Sequence, residues 1–257
     1  MQKLLSYVRR GVDDYAMIKE NDKITVGVSG GKDSLALLYS LAGLRRFYPV
    51  NFTLSAVTLS LGFEGMNFDG VKKLCDELDV EYEVKQTNIA EILFDIRKES
   101  NPCSLCAKMR RGALHDAALE RNSHVVALGH HFDDVLETFM LSLVYEGRVN
   151  CFSPVTYLDR KDITLIRPMI YAPERYVAGF VKRYDLPVVK NVCPEDKRTK
   201  RQYVKDLIVS LEKDNPGFKT RLFTAIEGAN AGGFGLFGKD VKAEFLQNKN
   251  NISEKGV

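Results

Sequence analysis

The chain has 257 residues, 45% hydrophobic and 28% charged, with a formal net charge of +3. That length buries one large core, or one core with a small appendage, and the composition is that of a soluble globular protein. No run approaches the roughly 18 apolar residues of a membrane span, and the N-terminus lacks the apolar stretch of a signal peptide. The mildly basic balance permits an acidic partner such as nucleic acid without requiring one. Five cysteines without a secretory signal point to metal or redox chemistry rather than a disulfide framework. The expected location is the cytoplasm.

Residues 1–19 place Leu4, Leu5, Val8, Val12, Tyr15 and Ile18 at helical spacing. Asn21-Asp22 ends that helix, and Ile24–Val28 reads as a buried strand rich in β-branched residues. A helix follows from Asp33, then a strand over Phe52–Leu59, a helix over Val71–Leu78 and a strand over Val80–Lys85, whose alternation suits a sheet edge. Ile89–Arg97 is helical, and Asn101-Pro102 breaks the chain. A helix over Cys103–Arg121, a strand over His124–Leu128 and a helix over Phe132–Tyr145 come next. Ile163–Ile166 is the fifth strand. Pro173–Tyr184 is a helix opened by proline, Pro187–Val189 is extended, and Lys197–Leu211 and Phe218–Ile226 are the last helices. This alternation predicts an α/β fold: an open parallel sheet of about five strands, helices on both faces, and helices at both termini. Ligands in such sheets bind at the carboxyl ends of the strands.

Ser29-Gly-Gly-Lys-Asp-Ser34 joins the first strand to the next helix. Strand, glycine turn and helix aim backbone N–H groups and a helix dipole at an anion. Gly30 and Gly31 let the backbone approach a phosphate, and Lys32 adds a charge. The loop is not a Walker A motif: Val26 stands where that motif needs glycine, and Asp33 follows the lysine. Asp33 could hold Mg²⁺ on the phosphates. The plainer alternative is an ordinary strand-to-helix turn.

Gly129-His-His-Phe-Asp-Asp-Val-Leu-Glu-Thr138 follows the fourth strand and lands at the same sheet edge. Asp133 and Asp134 can share a helix face with Glu137. Acids there complement the helix dipole, bind Mg²⁺ or handle a proton; Glu137 alone reads as a dipole partner. His130 and His131 either donate to phosphate or cap the helix.

Cys103-x-x-Cys106 has the spacing of zinc sites, iron–sulfur clusters and redox pairs, and by itself does not separate them. Cys75 sits among apolar helix positions and reads as a buried thiol. Cys151 has no ligand context. Cys193, followed by proline, lies after the last extended segment, where active-site groups gather. Most basic doublets read as solvated helix faces. Arg110-Arg111 and the 197–201 cluster, which includes Lys200 and Arg201, each follow a candidate cysteine and suit nucleic-acid phosphates.

The Ser29–Ser34 stretch resembles the PP-loop of N-type ATP pyrophosphatases, which split ATP to AMP and pyrophosphate and activate a carbonyl oxygen by adenylation. Further motifs follow in order: Cys103-x-x-Cys106 leading into Lys-Met-Arg-Arg-Gly, Gly129-His-His-x-Asp-Asp-x-x-Glu-Thr, Ile166-Arg-Pro, Cys193 and the Lys200–Leu207 run. Together they resemble the TtcA family of tRNA 2-thiocytidine synthetases over roughly residues 20–215. The resemblance implies a Rossmann-like domain that uses ATP and Mg²⁺ and binds a [4Fe–4S] cluster through three cysteines, one iron remaining open to sulfide. By matching motif the ligands are Cys103, Cys106 and Cys193.

The implied catalytic set is those three cysteines with Asp33, Asp133 and Asp134. ATP binding is expected at Ser29, Gly30, Gly31, Lys32, Asp33, Ser34, Gly129 and His130, Mg²⁺ at Asp33, and tRNA at Arg110, Arg111, Lys200 and Arg201. Residues 1–20 would form an N-terminal helix, 21–195 the PP-loop domain, 196–230 C-terminal helices and 231–257 a glycine-rich, polar, mobile tail. The implied reaction adenylates the C2 carbonyl oxygen of an anticodon-loop cytidine, at position 32, and replaces it with sulfur. Expected partners are tRNA, a sulfur donor such as a cysteine desulfurase, and a second copy in a homodimer. One departure is that Cys193 begins Cys-Pro-Glu-Asp, without the second cysteine that many members carry there. Rival readings are a 2-thiouridine synthetase of the same superfamily and a zinc-stabilised nucleotide- or RNA-binding module without catalysis.

Overall fold

The computed structural model describes residues 2–63, 65–97, 102–190, 192–193 and 200–235. Among them lies a sheet of six strands: β1 Asp22–Gly27, β2 Phe52–Ser60, β3 Glu81–Gln86, β4 Val125–Ala127, β5 Val155–Leu158 and β6 Ile163–Ile166. Their order is β3-β2-β1-β4-β6-β5. All pairings are parallel except β5 with β6. The α/β architecture is as expected and β3 is an edge strand, but the sheet gains an antiparallel sixth strand at its other edge. Val155–Leu158 has no fully buried position, so it carries no readable period. The turn after it is closed by Asp162 in the left-handed region, and that short hairpin creates the antiparallel pair.

The helices are α1 Gln2–Asp14, α2 Lys32–Arg45, α3 Asp69–Glu77, α4 Pro102–Leu119, α5 Phe132–Leu141, α6 Glu174–Arg183, α7 Lys200–Asp214 and α8 Phe218–Gly228. Two expected helices are partly wider π turns, over Glu91–Ile96 and Ser142–Glu146. Helix α2 is the centre of the core. Leu35, Leu37, Leu38, Leu41 and Leu44 are fully buried, because β1 and β2 lie against one side and α1 and α6 cover the others. A helix covered all round is apolar all round rather than amphipathic. Helix α1 supplies Leu4, Leu5, Val8 and Val12 to the same core.

Residues 231–235, expected to begin a mobile tail, pack instead. Ala231 and Phe234 are buried, and the Tyr15 hydroxyl donates to the Phe234 carbonyl at 3.2 Å. The rest of the expected tail lies outside the described residues, as do residues 197–199. No helix among the described residues is long and apolar enough to cross a membrane.

Candidate active site

The carboxyl ends of β1 and β4 meet the N-termini of α2 and α5, and the candidate site lies on this edge. Gly30 takes φ +81, a conformation glycine adopts without steric cost. A Cβ there would stand 2.8 Å from the Cβ of Val189. The Val189 N–H donates to the Gly30 carbonyl at 2.9 Å, so the extended segment 187–189 straps the loop. The Ser34 hydroxyl donates to the Gly31 carbonyl (2.9 Å) and accepts the Ser29 N–H (3.2 Å). These bonds hold the turn in place at the positive end of the α2 dipole. A Cβ on Gly129 would come within 3.0 Å of Asp33 and Ser34 backbone atoms. Glycine there lets the end of β4 approach the first turn of α2.

Charges of both signs face one another across this edge. Lys32 Nζ lies 2.9 Å from each Asp33 carboxylate oxygen and 3.1 Å from Glu174. Burial pushes the Lys32 amine down, but the two acids outweigh it and raise it. Glu174 also accepts Lys205 at 2.8 Å. Burial pushes its carboxyl up, yet Lys205 and Lys32 reverse that and hold it at about 2. Arg201 donates to Glu137 at 2.9 Å and to Asp134 at 3.3 Å. Burial nevertheless keeps the Glu137 carboxyl above its usual range, with Arg201 opposing. These groups, with His131 and Gln202, line one cleft of about 230 Å³. Its cations can take a nucleotide's phosphates once they leave their acids.

The two neighbouring aspartates point to different places. Asp134 lines the cleft and accepts the His131 N–H at 3.0 Å. Asp133 is buried and borders a separate cavity of about 680 Å³. Its Oδ2 accepts the Glu174 N–H at 2.7 Å at the start of α6, and its Oδ1 receives Lys219 of α8 at 2.6 Å. His131 faces the loop, with Nε2 3.6 Å from Asp33. His130 packs on the Phe152 ring instead, at 4.9 Å between centroids. Burial, then the charge of Arg167, hold the His130 imidazole down at about 4.

Cys103 is exposed and Cys106 half-buried on the first turn of α4. Because α4 leads into β4 at that strand's amino end, its own N-terminus lies toward the carboxyl edge. Cys193, half-buried, is four residues past the strapped Val189, within about 14 Å of extended chain. Burial pushes the Cys106 thiol up, Arg110 pulls it down, and Cys193 and Cys103 push it up again. The three sulfurs are therefore electrostatic neighbours. Among the described residues no three His, Cys or acidic side chains already stand as a closed metal site. The donor set nonetheless fits a thiolate-bound cluster: three soft ligands, partly exposed, beside a guanidinium that favours the thiolate. Cys75 and Cys151 are buried, and burial pushes both thiols up to about 12.

Arg110 and Arg111 are exposed on α4 beyond the cysteine pair. Lys200 lies over the Tyr145 ring at 4.8 Å, while Arg201 is engaged with the acids of α5. Sequence reasoning missed Glu174, Lys205, Lys219 and the environment of Arg167. Lys205 and Arg167 stand inside motifs that were recognised. Glu174 could have been flagged only as an acid opening a helix.

Three comparisons bear on this site. A family of PP-loop domains matches residues 4–212. The tRNA-cytidine(32) 2-sulfurtransferase of Geobacter sulfurreducens is 36% identical over 228 residues, covering 88% of this chain and 89% of the relative. The protein of the same name from Pelobacter propionicus is 37% identical, with 88% and 85% covered. Among solved structures, the U34-tRNA thiolase NcsA from Methanococcus maripaludis, with its [4Fe-4S] cluster, matches with a TM-score of 0.72 at 28% identity, covering 87% of this chain and 77% of that one.

Proposed function

Because the chain belongs to the PP-loop domain family and, within it, to that of the tRNA-cytidine(32) 2-sulfurtransferases, we propose that it is a cytoplasmic, ATP-dependent tRNA sulfurtransferase acting on cytidine 32. The observation that carries this reading is the cleft in which the 29–34 loop meets the α7 cations, with the N-terminus of α4 and its cysteine pair toward the same sheet edge. Residues 21–195 form the catalytic core in this reading, with 1–20 and 196–230 flanking it. The higher identity to the cytidine enzymes than to the U34 thiolase favours cytidine.

A base carbonyl is a poor electrophile with a poor leaving group. Attack of the C2 oxygen on the α-phosphorus of ATP forms a C–O–AMP bond and releases pyrophosphate. Sulfide-level sulfur then adds at C2, and AMP departs with the former carbonyl oxygen. Lys32 would leave Asp33 and Glu174 for the phosphates, with Lys205 and Arg201 beside it. Asp33, so freed, would be able to hold Mg²⁺, whose charge would offset that of the departing pyrophosphate. Asp134 anchors the His131 backbone beside the loop. Cys103, Cys106 and Cys193 would hold the [4Fe–4S] cluster, whose remaining iron supplies an open position for sulfide. Positioning of this kind contributes up to roughly 7–11 kcal/mol in the best intramolecular reactions. A sulfur donor such as a cysteine desulfurase and a homodimer complete the proposal.

The experiment is nucleotide analysis during thiolation of tRNA. Wild-type protein should release AMP and pyrophosphate, and Lys32→Ala should stay folded but lose turnover. Release of ADP and orthophosphate would exclude adenylation.

A further inference from the structure

Arg167 follows β6 directly and is 7% exposed. Its Nη1 donates to the Ser153 carbonyl at 2.5 Å and to the Thr156 hydroxyl at 3.1 Å. Its guanidinium carbon lies 5.1 Å from the centroid of the Phe152 ring, the ring that also contacts His130. Nη1 alone therefore clips the approach to β5. Nε is buried without a partner, and Nη2 makes no hydrogen bond among the described residues.

A buried guanidinium ordinarily sits against a carboxylate, because desolvation of the lone charge is costly. None pairs with Arg167 among the described residues. Burial pulls Arg167 down to about 10; Cys151 opposes that, and Arg111 on α4 adds to it. Arg110, beside Arg111, reaches the Cys106 thiol. Arg111 is thus near enough to act on Arg167, and the adjacent Arg110 near enough to act on Cys106. A guanidinium is donor-only, with a planar fork matched to phosphate.

We propose that Arg167, together with Arg111 of α4, holds a phosphodiester of the substrate RNA and so fixes the strand between the nucleotide cleft and the cysteines. The Phe152 contact and the Ser153 and Thr156 acceptors set the fork in advance, so that little side-chain freedom is lost on binding. This rests on the tRNA reading above.

The test is tRNA affinity of the full chain against salt concentration. Arg167→Gln should weaken binding and lower the magnitude of the log–log slope by roughly 0.7–0.9. Arg167→Lys keeps the charge and should keep the slope. Arg111→Gln, at an exposed position that does not threaten folding, should lower the slope in the same way. An unchanged slope in both glutamine variants would overturn the proposal and leave Arg167 as a structural clip. Lost affinity with an unchanged slope would overturn it too, indicating a base contact. Wild-type protein that bound no tRNA would instead bring down the tRNA reading itself.

Discussion

Glu174 carries the clearest pH signature of any single residue. Its carboxyl is displaced from 4.5 to about 2 because Lys205 and Lys32 outweigh its burial. An acid depressed in the folded state stabilises the fold above its unfolded value. That contribution fades as pH falls from about 4.5 to about 2. With partial exposure allowed for, it amounts to about 1–2 kcal/mol. Glu174→Gln should therefore lower stability at neutral pH and flatten the melting-temperature profile on the acid side of pH 4.5. A variant whose acid limb matched the wild type would mean that neither lysine holds the carboxylate in solution.

At the scale of elements, Asp133 joins three helices: it sits on α5, accepts the first N–H of α6 and pairs with Lys219 of α8. An acceptor at a helix start satisfies an N–H that the helix cannot. Asp133→Ala leaves that N–H and the lysine without their acceptor and should cost about 1–3 kcal/mol in chemical denaturation. Asp133→Asn keeps an acceptor oxygen and should cost less, with ATP affinity preserved because the side chain faces away from the cleft. A well-folded Asp133→Asn protein that no longer processed ATP would return Asp133 to the catalytic set.

On the scale of the whole molecule, the fold brings Cys193 within electrostatic reach of Cys106, 87 positions earlier in the chain. Cys103→Ser, Cys106→Ser and Cys193→Ser should each lose cluster and thiolation together while ATP still binds, since the loop does not depend on the metal. Cys75→Ser and Cys151→Ser should keep the cluster, the buried hydroxyl costing some stability. Anaerobic reconstitution with iron and sulfide, read by visible absorbance and iron content, decides it. A Cys193→Ser protein that held a full cluster and thiolated tRNA would remove Cys193 from the ligand set.

What the sequence by itself determined is local. Strand, Gly30-Gly31 turn and helix are consecutive in the chain, and Cys103 and Cys106 share one helical turn wherever that helix lies. Near-neighbour spacing is enough for both, and the alternation of strand-like and helix-like stretches along the chain is enough for an α/β fold. Tertiary structure decided the rest. Asp133 and Asp134 differ by about 100° around a helix. Which of them meets the cleft beside the 29–34 loop depends on how α5 is rotated against α6 and α8, and no local pattern carries that angle. Arg201 reads as a cation like Arg111 until α7 docks on α5 and supplies Glu137 and Asp134. Glu174 becomes part of the site only when Lys32 and Lys205, 173 residues apart in the chain, close on it. Strand β5 is too short and too exposed to carry a period of its own, and pairing with β6 makes it a strand.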